Sequence, residues 1–164
     1  ILNTAEFMCA AARTAPKTKG VDNIVTGVIT GQKIKKLAAA MRYYAKKENK
    51  PSFLRDADCI IKCPCVVLIG TKIKPVGLTF CGFCGWLDCA SMQKKGGVCA
   101  YNNMDLGIAV GSAVSLAADL RIDNRVMYSS GLVAIKIKML PKSVRVAIGI
   151  PLSVSGKNIF FDRK

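Results

Sequence analysis

Apolar positions recur along this chain with two different periods, and one stretch obeys neither. In residues 1–13, Leu2, Ala5, Cys9 and Ala12 fall three or four apart, with Glu6 and Arg13 off that line. This spacing predicts an amphipathic helix that Pro16 stops. "APKTKGVDN" follows as a structured loop, and the β-branched run "IVTGVIT" predicts a strand. A second helix is predicted from about Gln32 to Lys47, with Ile34, Leu37, Met41 and Tyr44 on its apolar face and Thr30 or Gly31 as its cap. After "NKPS" comes a short helical or irregular piece, and "CPCVVLIG" predicts a buried strand. From Asp105 to Arg121 a long apolar helix returns. Its Gly107, Gly111 and Ser115, spaced by four, predict close approach by a neighbouring helix. "LVAIKIKML" fits helix and strand equally well, so 127–140 stays open. "VRVAIGI" alternates as a strand does, with Val144, Val146, Ile148 and Ile150 on one side. No internal repeat is present. The pattern predicts an α+β domain in which helices and strands surround one sheet.

Residues 71–103 break both periods. They are rich in Gly and Cys and read as an inserted module, dividing a domain made of 1–70 and 104–164.

Composition narrows the chemistry. A chain of 164 residues supports one domain with a proper core, and half of it is apolar. "LGIAVGSAVSLAA" is too short to span a bilayer, so no membrane association is expected. No charged segment precedes an apolar run at the start, so no signal peptide is expected and the setting reads as cytoplasmic. Ile1 opens the chain inside its first helix, so the expectation is that the natural N-terminus lies upstream. The net charge is +15, but "QKIKKL", "AKKENK" and "QKKGG" are short, scattered runs without an interleaved aromatic platform. A solvated lysine surface is expected, partly balanced by an anionic cofactor, and no nucleic acid. Histidine is absent. That excludes a Ser-His-Asp or Cys-His nucleophile and any His metal ligand.

The sharpest signal is "FCGFCGWLDCASMQKKGGVC". Cys81, Cys84, Cys89 and Cys99 follow C-x2-C-x4-C-x9-C. Disulfides fit a reducing compartment poorly. Zinc has half a ribbon in "CGFCG" but lacks the second C-x2-C knuckle. An iron–sulfur cluster takes its thiolates from a loop wrapped around it, and Gly82 and Gly85 let that loop turn with N–H groups facing sulfur. The cluster is favoured, with zinc and other pairings kept open. Cys9, Cys59, Cys63 and Cys65 read as small buried hydrophobes, Cys63 and Cys65 sharing one strand face.

"CGFCGWLDC" with a fourth Cys resembles the small four-iron ferredoxin-type domain C-G-x-C-G-x-x-x-C of Rnf electron-transport subunits and corrinoid iron–sulfur proteins. The resemblance covers about twenty residues. It implies one 4Fe–4S cluster on Cys81, Cys84, Cys89 and Cys99, the last at a shorter spacing than in those relatives.

Outside the module, "AARTAPKTKGVDNIVTGVITGQKIKKLAAAM", "RDADCIIKCPCVVLIG", "DLGIAVGSAVSLAADLRIDNRVMYSSG" and "SVRVAIGIPLSVSGKNIFFDRK" resemble successive segments of nitroreductase-type flavoproteins, in the same order. The whole resembles a family of ferredoxin-domain proteins of unassigned function. This resemblance implies a nitroreductase-like three-layer domain with a mixed central sheet, a homodimer, and FMN at its interface. It places Arg13, Thr14, Pro16 and Lys17 near the flavin ring or ribityl chain, Tyr128, Ser129 and Ser130 near N5, and Lys157 and Arg163 near the phosphate. The family's Ser and Asn in A-P-S-x-x-N are replaced by Lys17 and Gly20, and its Arg-rich phosphate motif would precede Ile1. The implied activity is electron transfer between cluster and flavin, with a redox partner protein or a small-molecule acceptor. A cluster-only carrier or sensor and a zinc-stabilised interaction protein are the alternatives.

Overall fold

The computed structural model of the chain describes residues 1–161. Helix α1 (Leu2–Thr14) is followed by a 3₁₀ turn at Thr18–Gly20 and strand β1 (Ile24–Thr30). Helices α2 (Gly31–Lys47) and α3 (Pro51–Ile60) lead to strand β2 (Cys65–Lys72). Helices α4 (Cys89–Lys94) and α5 (Ala100–Asp119), strand β3 (Asp123–Asn124), helix α6 (Tyr128–Lys136) and strand β4 (Val144–Ser153) complete the order.

The strands form one sheet, β1-β2-β4-β3, and all three pairings are antiparallel. The α+β architecture is as expected, while the sheet is antiparallel throughout the described residues rather than mixed. The reason lies in the connection: two helices, not one, separate β1 from β2. The chain therefore returns to the end it left, and Thr30 pairs with Cys65.

Alternation on β2 builds three layers. Cys65, Val67 and Ile69 face Ala5, Met8 and Ala12 of α1 and Leu106, Ala109 and Ala113 of α5. Val66 and Leu68 face Leu37 and Met41 of α2, Phe53 and Ala57 of α3, and Val133 of α6. With both faces covered, β2 reads as an unbroken apolar run, and each of its large aliphatic side chains contributes roughly 1.5–3 kcal/mol on leaving water. Helix α6 lies directly on β4. A Cβ on Gly131 would run into the Ala147 carbonyl, and one on Gly149 into the Ser130 hydroxyl.

Several details correct the sequence reading. The buried stripe of α1 runs through Ala5, Met8 and Ala12, whereas Leu2 is exposed and Cys9 half-buried. Cys63 precedes β2 and packs with α2 and α3, so it does not share a face with Cys65. Thr71 pairs with Val146 and Lys72 with Val144, so Arg145 is an extra residue. This bulge turns Val144 to the opposite face, against Gly70, where an added Cβ would come within 2.6 Å of it. The open segment 127–140 holds a helix, and "NKPS" leads straight into α3 with Pro51 as its first residue. Helix α5 starts at Ala100, so the last residues of the 71–103 stretch form its first turn. Gly107 and Gly111 face open space instead of a neighbouring helix of the same chain. Among the described residues, no helix is long and apolar enough to cross a membrane.

Candidate functional site

After β2 the chain runs without helix or strand to Asp88. Two glycines shape this loop: Gly82 at φ +103° and Gly85 at φ +80°, a region that side-chain-bearing residues avoid. The Gly85 N–H donates to the Gly82 carbonyl at 2.8 Å and closes the turn between Cys81 and Cys84. Asp88 then starts α4. Its carboxylate accepts the Ser91 N–H at 2.7 Å, and the Ser91 hydroxyl accepts the Asp88 N–H at 3.3 Å. These bonds from Ser91 hold the Asp88 carboxyl below the usual carboxylate range. Gly97 presses on the buried Met92, which ties α4 down and brings the chain to Cys99 at the head of α5.

The result is a single hollow lined by Cys81, Cys84, Cys89 and Cys99, with Gly82, Trp86 and Tyr101. Cys81 is exposed, Cys84 and Cys89 are half-buried, and Cys99 is buried. Cys99 directly precedes the first turn of the 20-residue α5, whose unpaired N–H groups favour negative charge. The hollow has a volume of about 30 Å³, the room of one small molecule of water. Among the described residues, no three acidic, Cys or His side chains close on a point as one metal ion requires. Four thiols, two turn-forming glycines and a helix N-terminus meet around one concavity, a donor set of the chemistry a thiolate-bound group would need. Among the described residues, the turn bond at Gly85 is the one backbone–backbone hydrogen bond between Thr79 and Leu87.

Two residues beside the hollow escaped the sequence reading. Asn102 is fully buried; its Oδ1 accepts the Lys74 N–H at 3.0 Å, while its Nδ2 has no partner among the described residues. Asp105 is buried and accepts both the N–H and the hydroxyl of Thr18, at 3.0 and 2.9 Å, which ties the loop after α1 to α5. The available signal was polarity: "YNNMD" sets polar residues at the head of an otherwise apolar helix.

The other four cysteines are also unbridged. Burial pushes the thiols of Cys9, Cys59 and Cys65 up, and it pushes Cys63 up to about 12, with Cys59 and Cys65 adding to the effect.

The residues assigned to flavin by resemblance are scattered within one chain. The guanidinium of Arg13 pairs with Asp22 at 2.7 Å. The Lys17 ammonium folds back onto the carbonyls of Arg13 and Ala15, at 2.5 and 2.7 Å, and caps α1. Thr14 donates to the Ala10 carbonyl, and Pro16 is exposed. Ser129 is buried and donates to Asp56 at 2.6 Å, and Ser130 donates to the Met127 carbonyl. Lys157 is exposed near the end of the described chain, and Arg163 lies outside the described residues. The end of α1 and the start of α6 sit against opposite faces of the sheet, so one chain does not bring the two sets together.

Tyr128 instead opens onto a second cavity of about 480 Å³ between the end of α2, the start of α3, and α6. Its walls carry Tyr44, Phe53 and Leu132, with Lys47, Lys50 and Lys136 and one acid, Glu48, around them. The Phe53 and Tyr128 rings meet edge to face at 5.5 Å. In sequence, "AKKENK" read as a solvated basic run; the fold sets two of its lysines on this cavity.

The comparisons with known proteins agree with this architecture. Residues 95–163 match the family described as "Uncharacterized protein containing a ferredoxin domain (DUF2148)". An uncharacterized protein of Archaeoglobus fulgidus is 40% identical over 168 residues, spanning 97% of this chain and 89% of that one. Among solved structures, a BluB-like flavoprotein from Clostridium difficile 630 superimposes with a TM-score of 0.68 at 19% identity, covering 95% of this chain and 81% of that one. A nitroreductase with bound FMN from Bacteroides fragilis gives a TM-score of 0.66 at 13% identity, with coverage of 95% and 78%. The chain belongs to the family described as uncharacterized proteins containing a ferredoxin domain (DUF2148), and it has the fold of the nitroreductase-type flavoproteins.

Proposed function

We propose that this chain is a redox protein that holds a 4Fe–4S cluster on Cys81, Cys84, Cys89 and Cys99 and passes electrons between it and FMN. The observation that carries the reading is the hollow itself: the four cysteines of one loop line one concavity although they differ widely in exposure. A four-iron cluster moves single electrons, and a flavin converts them into two-electron chemistry. The chain's own part is positioning. Gly82 and Gly85 turn the loop, Asp88 starts α4 so that Cys89 meets the hollow, and α5 presents N–H groups behind Cys99.

The cavity beside Tyr128 supports the flavin half of the proposal. Its volume lies in the range of cofactor pockets, its walls are aromatic, and its lysines suit an anionic ligand. We place a homodimer on α5, where Gly107 and Gly111 lie bare beside the exposed Met104 and Ile108, a face on which another α5 can approach closely. The setting we propose is the cytoplasm, where eight free thiols persist.

An anaerobic reductive titration tests the reading. About three electrons per chain are expected, one for the cluster and two for the flavin. One electron would leave a cluster-only carrier, and none would refute the redox reading.

A further inference from the structure

The loop that carries the cysteines also carries the two most exposed large apolar side chains of the described residues. Phe80 is 98% and Leu87 94% exposed, and Phe83 is 67% exposed. Burying such groups is what chains do with them unless a partner does it instead. Phe80 directly precedes Cys81, and Leu87 itself lines the hollow. Exposed lysines flank this loop along the chain: Lys72 and Lys74 on the incoming side, Lys94 and Lys95 on the outgoing one. None of the four joins an ion pair among the described residues. The loop's one acid, Asp88, is engaged in capping α4.

We infer that this rim is a docking surface for a small acidic electron-carrier protein, whose apolar centre covers Phe80 and Leu87 while its carboxylates meet Lys94 and Lys95. The inference rests on the cluster proposed above. Charge selects the occupant. A second copy of this chain, at +15, would bring like charge against the rim. A single-stranded nucleic acid needs a row of open aromatic faces, whereas here Phe80 alone is fully open, the Phe83 ring being stacked on Tyr101 at 5.7 Å. The transfer is one electron: it leaves the carrier's reduced iron centre, which is oxidised, and enters the four-cysteine centre, which is reduced. No bond forms and no proton moves.

The test uses the full chain purified with its iron, a small acidic plant-type ferredoxin as the probe, and calorimetric titration as the readout. Lys94→Glu with Lys95→Glu should weaken binding about tenfold or more at roughly 20 mM salt, and the effect should fade at about 0.5 M. Phe80→Ser with Leu87→Ser should weaken it at both salt concentrations. Stopped-flow reduction by the reduced ferredoxin should slow in step, while reduction by dithionite stays unchanged in the Lys94→Glu, Lys95→Glu variant. Equal affinity across wild type and both double variants would overturn the docking surface, as would tighter binding of a single-stranded oligonucleotide than of ferredoxin. A chain that dithionite cannot reduce would refute the cluster reading instead, and the calorimetry would still judge the surface.

Discussion

Eight cysteines divide evenly between two settings, and the same side chain meets opposite conditions in each. In the scaffold, Cys65 is fully buried on β2 between apolar layers, and Cys63 packs at the foot of α3 with its thiol pushed up to about 12. Burial there holds the proton on sulfur, so these residues act as compact hydrophobes. In the loop between β2 and α5, Cys81 is exposed, the backbone turns at positive φ on Gly82 and Gly85, and Cys99 sits at a helix N-terminus. Backbone N–H groups at the turn and at the head of α5 would stand around a thiolate-bound group there. Residue type alone does not set a cysteine's surroundings; the shape of the backbone around it does.

The largest test of that contrast exchanges one sulfur in each setting. Cys89→Ser should reduce iron from about four per chain to almost none, while Cys65→Ser should keep wild-type iron. Iron and sulfide assays after anaerobic purification measure both. Next in size is a pair of glycines. Gly131→Ala drives a methyl into the backbone of β4 and should cost about 3 kcal/mol, lowering Tm by roughly 6–12 °C. Gly85→Ala meets open space and strains only the local backbone, at about 1 kcal/mol. Thermal denaturation of the two separates scaffold from loop. Cys65→Ser itself should cost about 2 kcal/mol, because its hydroxyl lies among apolar neighbours.

The smallest effect is in pH. Cys63 keeps its proton in the folded state up to about 12, whereas an unfolded thiol loses it near 8.5. Its contribution to stability is therefore complete below the unfolded value and is lost as pH rises from there towards 12. Denaturant midpoints above about pH 9 should fall less steeply in Cys63→Ala than in the wild type.

How much of this was legible in sequence depended on distance along the chain. The cysteine module was readable because its four thiols and two glycines lie within twenty residues, so spacing and geometry are nearly the same information. Strand β2 announced itself because burial on both faces leaves a continuous apolar run. Helix α1 was placed correctly, but its buried face was not: Ala-rich sequence offers both a 2-5-9-12 and a 5-8-12 stripe, and only packing on α5 and β2 chooses Met8 over Leu2. Segment 127–140 became a helix because Gly131 lets α6 settle on β4, a long-range contact that no local period encodes. The cavity beside Tyr128 was invisible for the same reason, since three separate elements build it.

One measurement bears most directly on the central claim: iron, acid-labile sulfide and zinc counted together in the full chain purified without oxygen. The account predicts about four irons and four sulfides per chain with negligible zinc. One zinc per chain without sulfide would contradict it and leave the four cysteines as a structural site.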